Sequence, residues 1–228
     1  YDDWASLITA GNTSSLTVKG CTFESTNAYN GYVTVYGIFT YGGSTVTIGN
    51  DGATRTSFKN FRCGIGWEFG DGVQEVAVCD FTDCGVNTRV WGTVKNQLYL
   101  NNPKTQTAGG ITIESGGLLK LNSSSQIMTT GQWNDIIVHG TLQGVGARFD
   151  LDTWTDHSDG DYPDQRHNGI YFMDGSSGGF YRCVLTGVER RDHSAHYYDD
   201  WSAIVHASGT VNLRFQGCDF ESLNTVNG

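Results

Sequence analysis

The chain has 228 residues, among them 31 Gly, two Pro, six Trp, 11 Tyr and 11 Phe, and only 17% are charged. This is the composition of an ordered, turn-rich, aromatic β protein and not of a disordered segment. With 24 acidic against 14 basic side chains the net charge is −10, the wrong sign for neutralising phosphates, which argues against nucleic acid as a partner. No run of about 18 apolar residues occurs, so nothing spans a bilayer, and no basic amphipathic helix suggests lying on one.

In chain order the predicted elements are brief alternating apolar runs separated by Gly, Asn, Ser and Asp: "SSLTVKGCTF", "STVTIGN", "TSFKNFRCG" and "QEVAVCDFTDCG" in the first part of the chain. Then come "GGITIESGGLLKLNSSS", "NDIIVHGTLQGVGARFDLD", "GGFYRCVLTGV" and "VNLRFQGCDFES". Most read as strands of about three to six residues. The fragment apolar-x-x-Cys-x-Phe recurs at Val18 to Phe23, Val76 to Phe81 and Phe215 to Phe220, with a looser "FYRCVL" at 180 to 185. Stacked coils need such a pattern, because each turn points the same small or apolar side chains inward onto those of the turn below.

A longer repeat lies over the short one. Residues 1–31 align without a gap to 198–228, with 15 of 31 positions identical, including Trp4/Trp201, Gly20/Gly217, Cys21/Cys218 and Phe23/Phe220. The offset of 197 residues is too long for one turn of a solenoid and reads as one full period of a tandem repeat plus the start of the next. The two ends are therefore expected to follow the same path, with Cys21 and Cys218 pointing inward and Phe23 and Phe220 on the same inner row. The absence of an initiator Met and of a signal peptide fits a mature piece or an excised fragment. No linker or charge block divides the chain, so 1–228 is expected to be one domain.

The "CTF" and "CDF" strands, the "GGITIESGGLLKL" type of coil and the Gly/Asn turns resemble the right-handed parallel β-helices of the pectate-lyase-like superfamily. The resemblance is one of architecture and covers most of the chain. It implies an all-β right-handed parallel β-helix, a solenoid of roughly seven to nine coils with loop insertions, and a rod of roughly 35 to 45 Å at about 4.8 Å per strand. Such scaffolds serve polysaccharide lyases and hydrolases, phage tailspikes and surface adhesins alike, so the fold does not fix the function.

Two segments interrupt the rhythm. "DLDTWTDHSDGDYPDQRHNG" at 150–169 carries six Asp within 15 residues, at 150, 152, 156, 159, 161 and 164. It either folds around Ca²⁺, with Asp156, Asp159 and Asp161 as first ligands, or stands as a solvated acidic turn; its spacing misses the EF-hand pattern. "VERRDHSAHYYDDW" at 188–201 mixes Arg, Asp and His, the residue types a lyase or hydrolase uses. Its "YDDW" recurs at residues 1–4, which favours a coil-entry turn over an active site.

The six cysteines contain no C-x-x-C pair, so zinc and redox chemistry are not indicated. Stacking "CGI" on "CGV" makes Cys63 and Cys84 the disulfide candidate, while Cys21, Cys79, Cys183 and Cys218 read as buried thiols in strand positions. Asn12 and Asn122 begin glycosylation sequons. Trp67, Trp91, Trp133 and Trp154 with Tyr29, Tyr32, Tyr36 and Tyr41, among them Tyr32, Tyr36 and Trp154 foremost, are either a stacking face for sugar rings or the cover of the coil.

From these readings the expected protein is a non-enzymatic extracellular or cell-surface β-helix repeat module, structural or adhesive, whose partners are further copies placed end to end. The alternative is a carbohydrate-active β-helix that binds or cleaves polysaccharide. No cofactor is required, with Ca²⁺ the cation the acidic loop would take.

Overall fold

The computed structural model describes residues 5–26, 36–51, 54–70, 74–76, 79–101, 104–122, 125–129, 135–155, 169–191 and 204–222. These form an all-β structure without helices. The first three passes of the chain are β1 (Ser6–Ala10), β2 (Ser15–Lys19) and β3 (Thr22–Glu24); β4 (Tyr36–Thr40), β5 (Thr45–Asp51), β6 (Thr54–Arg55) and β7 (Ser57–Lys59); and β8 (Cys63–Phe69), β9 (Gln74–Val76) and β10 (Asp80–Thr82). The fourth and fifth are β11 (Val86–Val94) with β12 (Gln97–Leu100), and β13 (Lys104–Ile113) with β14 (Leu118–Leu121). Then follow β15 (Gln126–Thr129), β16 (Ile136–Val138) and β17 (Thr141–Val145); β18 (Arg148–Thr155), β19 (Ile170–Phe172) and β20 (Ser177–Tyr181); β21 (Val184–Arg191), β22 (Val205–Ala207) and β23 (Asn212–Gln216); and finally β24 (Asp219–Ser222).

Each pass adds one parallel rung to each sheet it crosses. A twelve-stranded sheet runs β1-β4-β8-β11-β13-β15-β18-β21-β24, with β16, β19 and β22 as a second branch from β13; a nine-stranded sheet runs β2-β5-β9-β12-β14-β17-β20-β23, with β6 beside β5. The third sheet, β3-β7-β10, has three strands. Among the described pairings only β5–β6 is antiparallel.

In-register stacking converts the alternating sequence into continuous inner rows. One row across the large sheet reads Ile8, Ile38, Ile65, Thr88, Thr105, Ile127, Phe149, Leu185, Phe220. A facing row across the nine-stranded sheet reads Val18, Ile48, Val76, Leu100, Leu121, Gly144, Phe180, Phe215. All but the end members of the two rows are buried. At the last rung Phe220 is 55% and Phe215 37% exposed, because a terminal rung lacks a neighbour on one side, whereas Val18 at the first stays buried.

Corners between rungs are made by residues in the left-handed region. Gly20, Gly146 and Gly217 have φ of 60°, 59° and 61°, and Arg182 has φ 51°. A small residue follows each: Cys21, Ala147, Cys218 and Cys183. At three of these corners the cysteine thiol donates back to the carbonyl two residues earlier: Cys21 to Lys19, Cys183 to Tyr181 and Cys218 to Gln216. The expected buried thiols are therefore corner residues. Cys183 and Cys79 are buried, whereas Cys21 and Cys218, on terminal passes, are exposed and half-buried.

Two expectations about register are corrected. Cys63 stands opposite Val86, so the "CGI" and "CGV" segments are offset by two residues, and both Cys63 and Cys84 are free thiols. Phe23 and Phe220 do not share a row: Phe23 stacks on Phe58 in the three-stranded sheet, whereas Phe220 extends the large one. The cause lies at β13, which pairs β15 with its first half and β16 with its second, so that the three-stranded sheet ends at β10 and the large sheet forks above it.

Candidate functional site

Outside the main core, the twelve-stranded sheet carries a second, smaller apolar cluster on β4, β8 and β11. Tyr36, Phe39 and Cys63 are its buried members, with Tyr41, Val86 and Trp91 packed against them. Phe39 is in register with Thr9 on one side and Gly66 on the other. Its ring lies 5.9 Å from that of Tyr41 at 28° and 5.8 Å from that of Trp91 at 25°.

Two glycines allow the rings to lie close to the sheet. A Cβ on Gly66 would stand 2.5 Å from Tyr36 Cε1 and 2.9 Å from Phe39 Cδ2, and one on Gly11 would stand 2.2 Å from Tyr41 Cζ. The Arg89 guanidinium lies near the Tyr36 phenol. Burial pushes the Tyr36 phenol up, neighbouring Cys63 adds to this, and Arg89 opposes it. Beside the rings is an open cleft of about 430 Å³ lined by Thr9, Phe39, Tyr41 and Glu68. Its described lining residues offer the half-buried Tyr41 ring, a carboxylate and a hydroxyl, a combination suited to binding, with no paired acid and base among them.

A polar cluster stands on the second branch. Tyr171 and His206 are in register and their rings stack at 4.4 Å and 6°. Asp135, which accepts from the Gly169 backbone N–H, has its carboxyl raised to about 6 by burial, and the Tyr171 phenol is raised by burial and then by Asp135.

Of the residues singled out from sequence, Tyr36, Tyr41 and Trp91 come together, with Tyr36 buried as support and not as an open face. Trp67 is fully buried in the main core. Trp154 lies on β18 in register with Arg190. Tyr29, Tyr32, Trp133, Asp156, Asp159 and Asp161 lie outside the described residues. Asp150, at the head of the acidic segment, is occupied: Arg148 Nε donates to it at 2.7 Å, Thr186 Oγ1 at 2.6 Å, and Gln126 Nε2 also donates. Among the described residues no group of three or more His, Cys, Asp or Glu is placed to hold a metal ion.

Asn12 is exposed in a turn with φ 57°. Asn122 instead donates through Nδ2 to Asn101 Oδ1, and Asn101 donates to Glu75, so the nitrogen a glycan would occupy is part of an amide ladder between rungs. Thr9, Phe39 and Glu68 were not singled out from sequence, since they come from three successive passes and only stacking joins them. No protein family, no curated protein and no solved structure matches the chain. Among the described residues no helix is long and apolar enough to cross a membrane.

Proposed function

We propose that the chain is one period, with the first pass of the next, of a right-handed parallel β-helix that continues as a tandem array in an extracellular or cell-surface protein, where it acts as a structural or adhesive module without catalysis. The observation that carries this reading is the coincidence of the two ends: β2 at Ser15–Lys19 and β23 at Asn212–Gln216 have bounds 197 residues apart, and β3 and β24 start at the same offset. From β1 to β22 the path takes seven rungs, or about 28 residues per pass and about 34 Å per period at 4.8 Å per rung. Right-handed winding follows from the strong preference of parallel crossovers.

The end surfaces support continuation. Lys59 donates to Glu24 at 2.8 Å, and Phe58 stacks on Phe23. Glu221 and Phe220 occupy the equivalent sequence positions at the other end, on the large sheet instead of the three-stranded one, and are exposed, so a following pass would cover them and remove the open edge. The test is a chain in which residue 228 is followed by residues 32–228 once more. A single unfolding transition above that of the original chain, with a scattering length greater by about 34 Å, is expected. Two independent transitions, one at the original temperature, would overturn it.

A further inference from the structure

We propose that the outer face of the large sheet across β1, β4 and β8 binds a neutral saccharide, which lays a pyranose face on the half-buried Tyr41 ring, backed by buried Phe39, and directs its hydroxyls to Glu68 and Thr9. This does not depend on the tandem-repeat reading and goes beyond it. A flat aromatic surface and a nearby carboxylate are the two elements a sugar needs: its axial C–H groups meet the ring face, and its hydroxyls donate to the carboxylate oxygens.

The site is built rather than incidental. Gly11 and Gly66 leave the space that the Tyr41, Tyr36 and Phe39 rings fill, and Trp91 packs against Phe39. The rings therefore have little freedom left to lose on binding, which favours affinity. At about 430 Å³ the cleft falls in the range of small-molecule sites, roughly 300–1,000 Å³.

Charge and ring geometry choose among ligands. Glu68 at the cleft and a net charge of −10 disfavour uronates and other anions, and Arg89 is turned to Tyr36. A carboxylate among aromatic rings also suits a quaternary ammonium, but that ligand is enclosed by aromatic walls. Among the described lining residues Tyr41 is the one half-open ring, with buried Phe39 packed beside it at 28°; a single ring face fits a flat sugar and does not wall in a cation.

Affinity electrophoresis and calorimetry of the full chain against laminarin, hydroxyethylcellulose and galactomannan test this, with polygalacturonate and tetramethylammonium as comparators. At least one neutral polysaccharide is expected to retard the chain. The effect should fall more than tenfold in Tyr41→Ala and in Glu68→Gln, persist in Tyr41→Phe, and leave the melting temperature of each variant near that of the parent. Absence of retardation by all three, retention of binding in folded Tyr41→Ala, or binding confined to polygalacturonate or tetramethylammonium would overturn it. Those outcomes leave the tandem-repeat reading untouched, since that rests on the ends of the chain.

Discussion

Gly20 and Gly217, 197 residues apart, turn the chain with φ of 60° and 61°. Each follows a strand of the nine-stranded sheet and precedes a cysteine whose thiol bonds back over the corner. The left-handed conformation costs an L-residue roughly 1–2 kcal/mol. No atom lies closer than 3.7 Å to a Cβ built on Gly217, so Gly217→Ala should lose about 1 kcal/mol through backbone alone. Asp83, exposed at φ 53°, gives the opposite sign: Asp83→Gly should gain about 0.5–1 kcal/mol. Urea unfolding of the two variants checks both, and equal signs would contradict the corner argument.

Phe58 lies between Phe23, at 5.1 Å and 9°, and Phe81, at 5.3 Å and 13°, and is fully buried. Its truncation leaves a cavity bounded by two rungs that cannot collapse, so Phe58→Ala should cost about 3–5 kcal/mol. Gly64→Ala acts from the other direction. Its Cβ would stand 2.6 Å from Phe81 Cε1 and 2.9 Å from the Asn87 carbonyl oxygen, an overpacking of about 1–3 kcal/mol. Thermal melts that place either variant within 0.5 kcal/mol of the parent, about the scatter of surface substitutions, would show the ladder to be slack.

Thiol reactivity should follow burial. Cys63 and Cys79 are pushed up to about 12 by burial, and Cys183 is raised by the same cause. Cys21 is exposed. Iodoacetamide at pH 8 should alkylate Cys21 first and Cys63, Cys79 and Cys183 only on unfolding, since the thiolate is the nucleophile. Peptide mass spectrometry reads the order. Native Cys63 reacting as fast as Cys21 is the contrary result.

Asp135 makes stability depend on pH. Its folded pKa is raised from 3.8 to about 6 by burial, so the charged form is disfavoured in the native state. The sign follows: its contribution is present below the unfolded value and lost as pH rises through about 6. Asp135→Asn keeps an acceptor for Gly169 and removes the charge. The variant should exceed the parent by about 1 kcal/mol at pH 7.5, after allowance for partial exposure, and show no gain near pH 4. Denaturation of both proteins at the two pH values measures this, and a gain independent of pH would remove the carboxylate as its cause.

Period-two alternation, the Gly, Asn and Asp corners and the repeated Cys-x-Phe were readable in the sequence because each is local. A strand needs neighbours two residues apart, and a corner needs one residue that tolerates φ > 0. Those signals were enough for an all-β chain of short parallel rungs and for the aromatic character of the stretch around Tyr36 and Tyr41.

Register was decided only by the tertiary structure. A slip of one residue would turn an inner row outward and is excluded by the pattern, but a slip of two leaves every side chain facing the same way. Sequence alternation cannot distinguish these, which is why Cys63 meets Val86 and not Cys84. The fork at β13, the separation of Phe23 from Phe220, and the meeting of Thr9, Phe39 and Glu68 at one cleft all depend on how passes about 28 residues apart settle on one another. That choice is made by packing volume across the core, where a ring such as Phe81 needs Gly64 beside it.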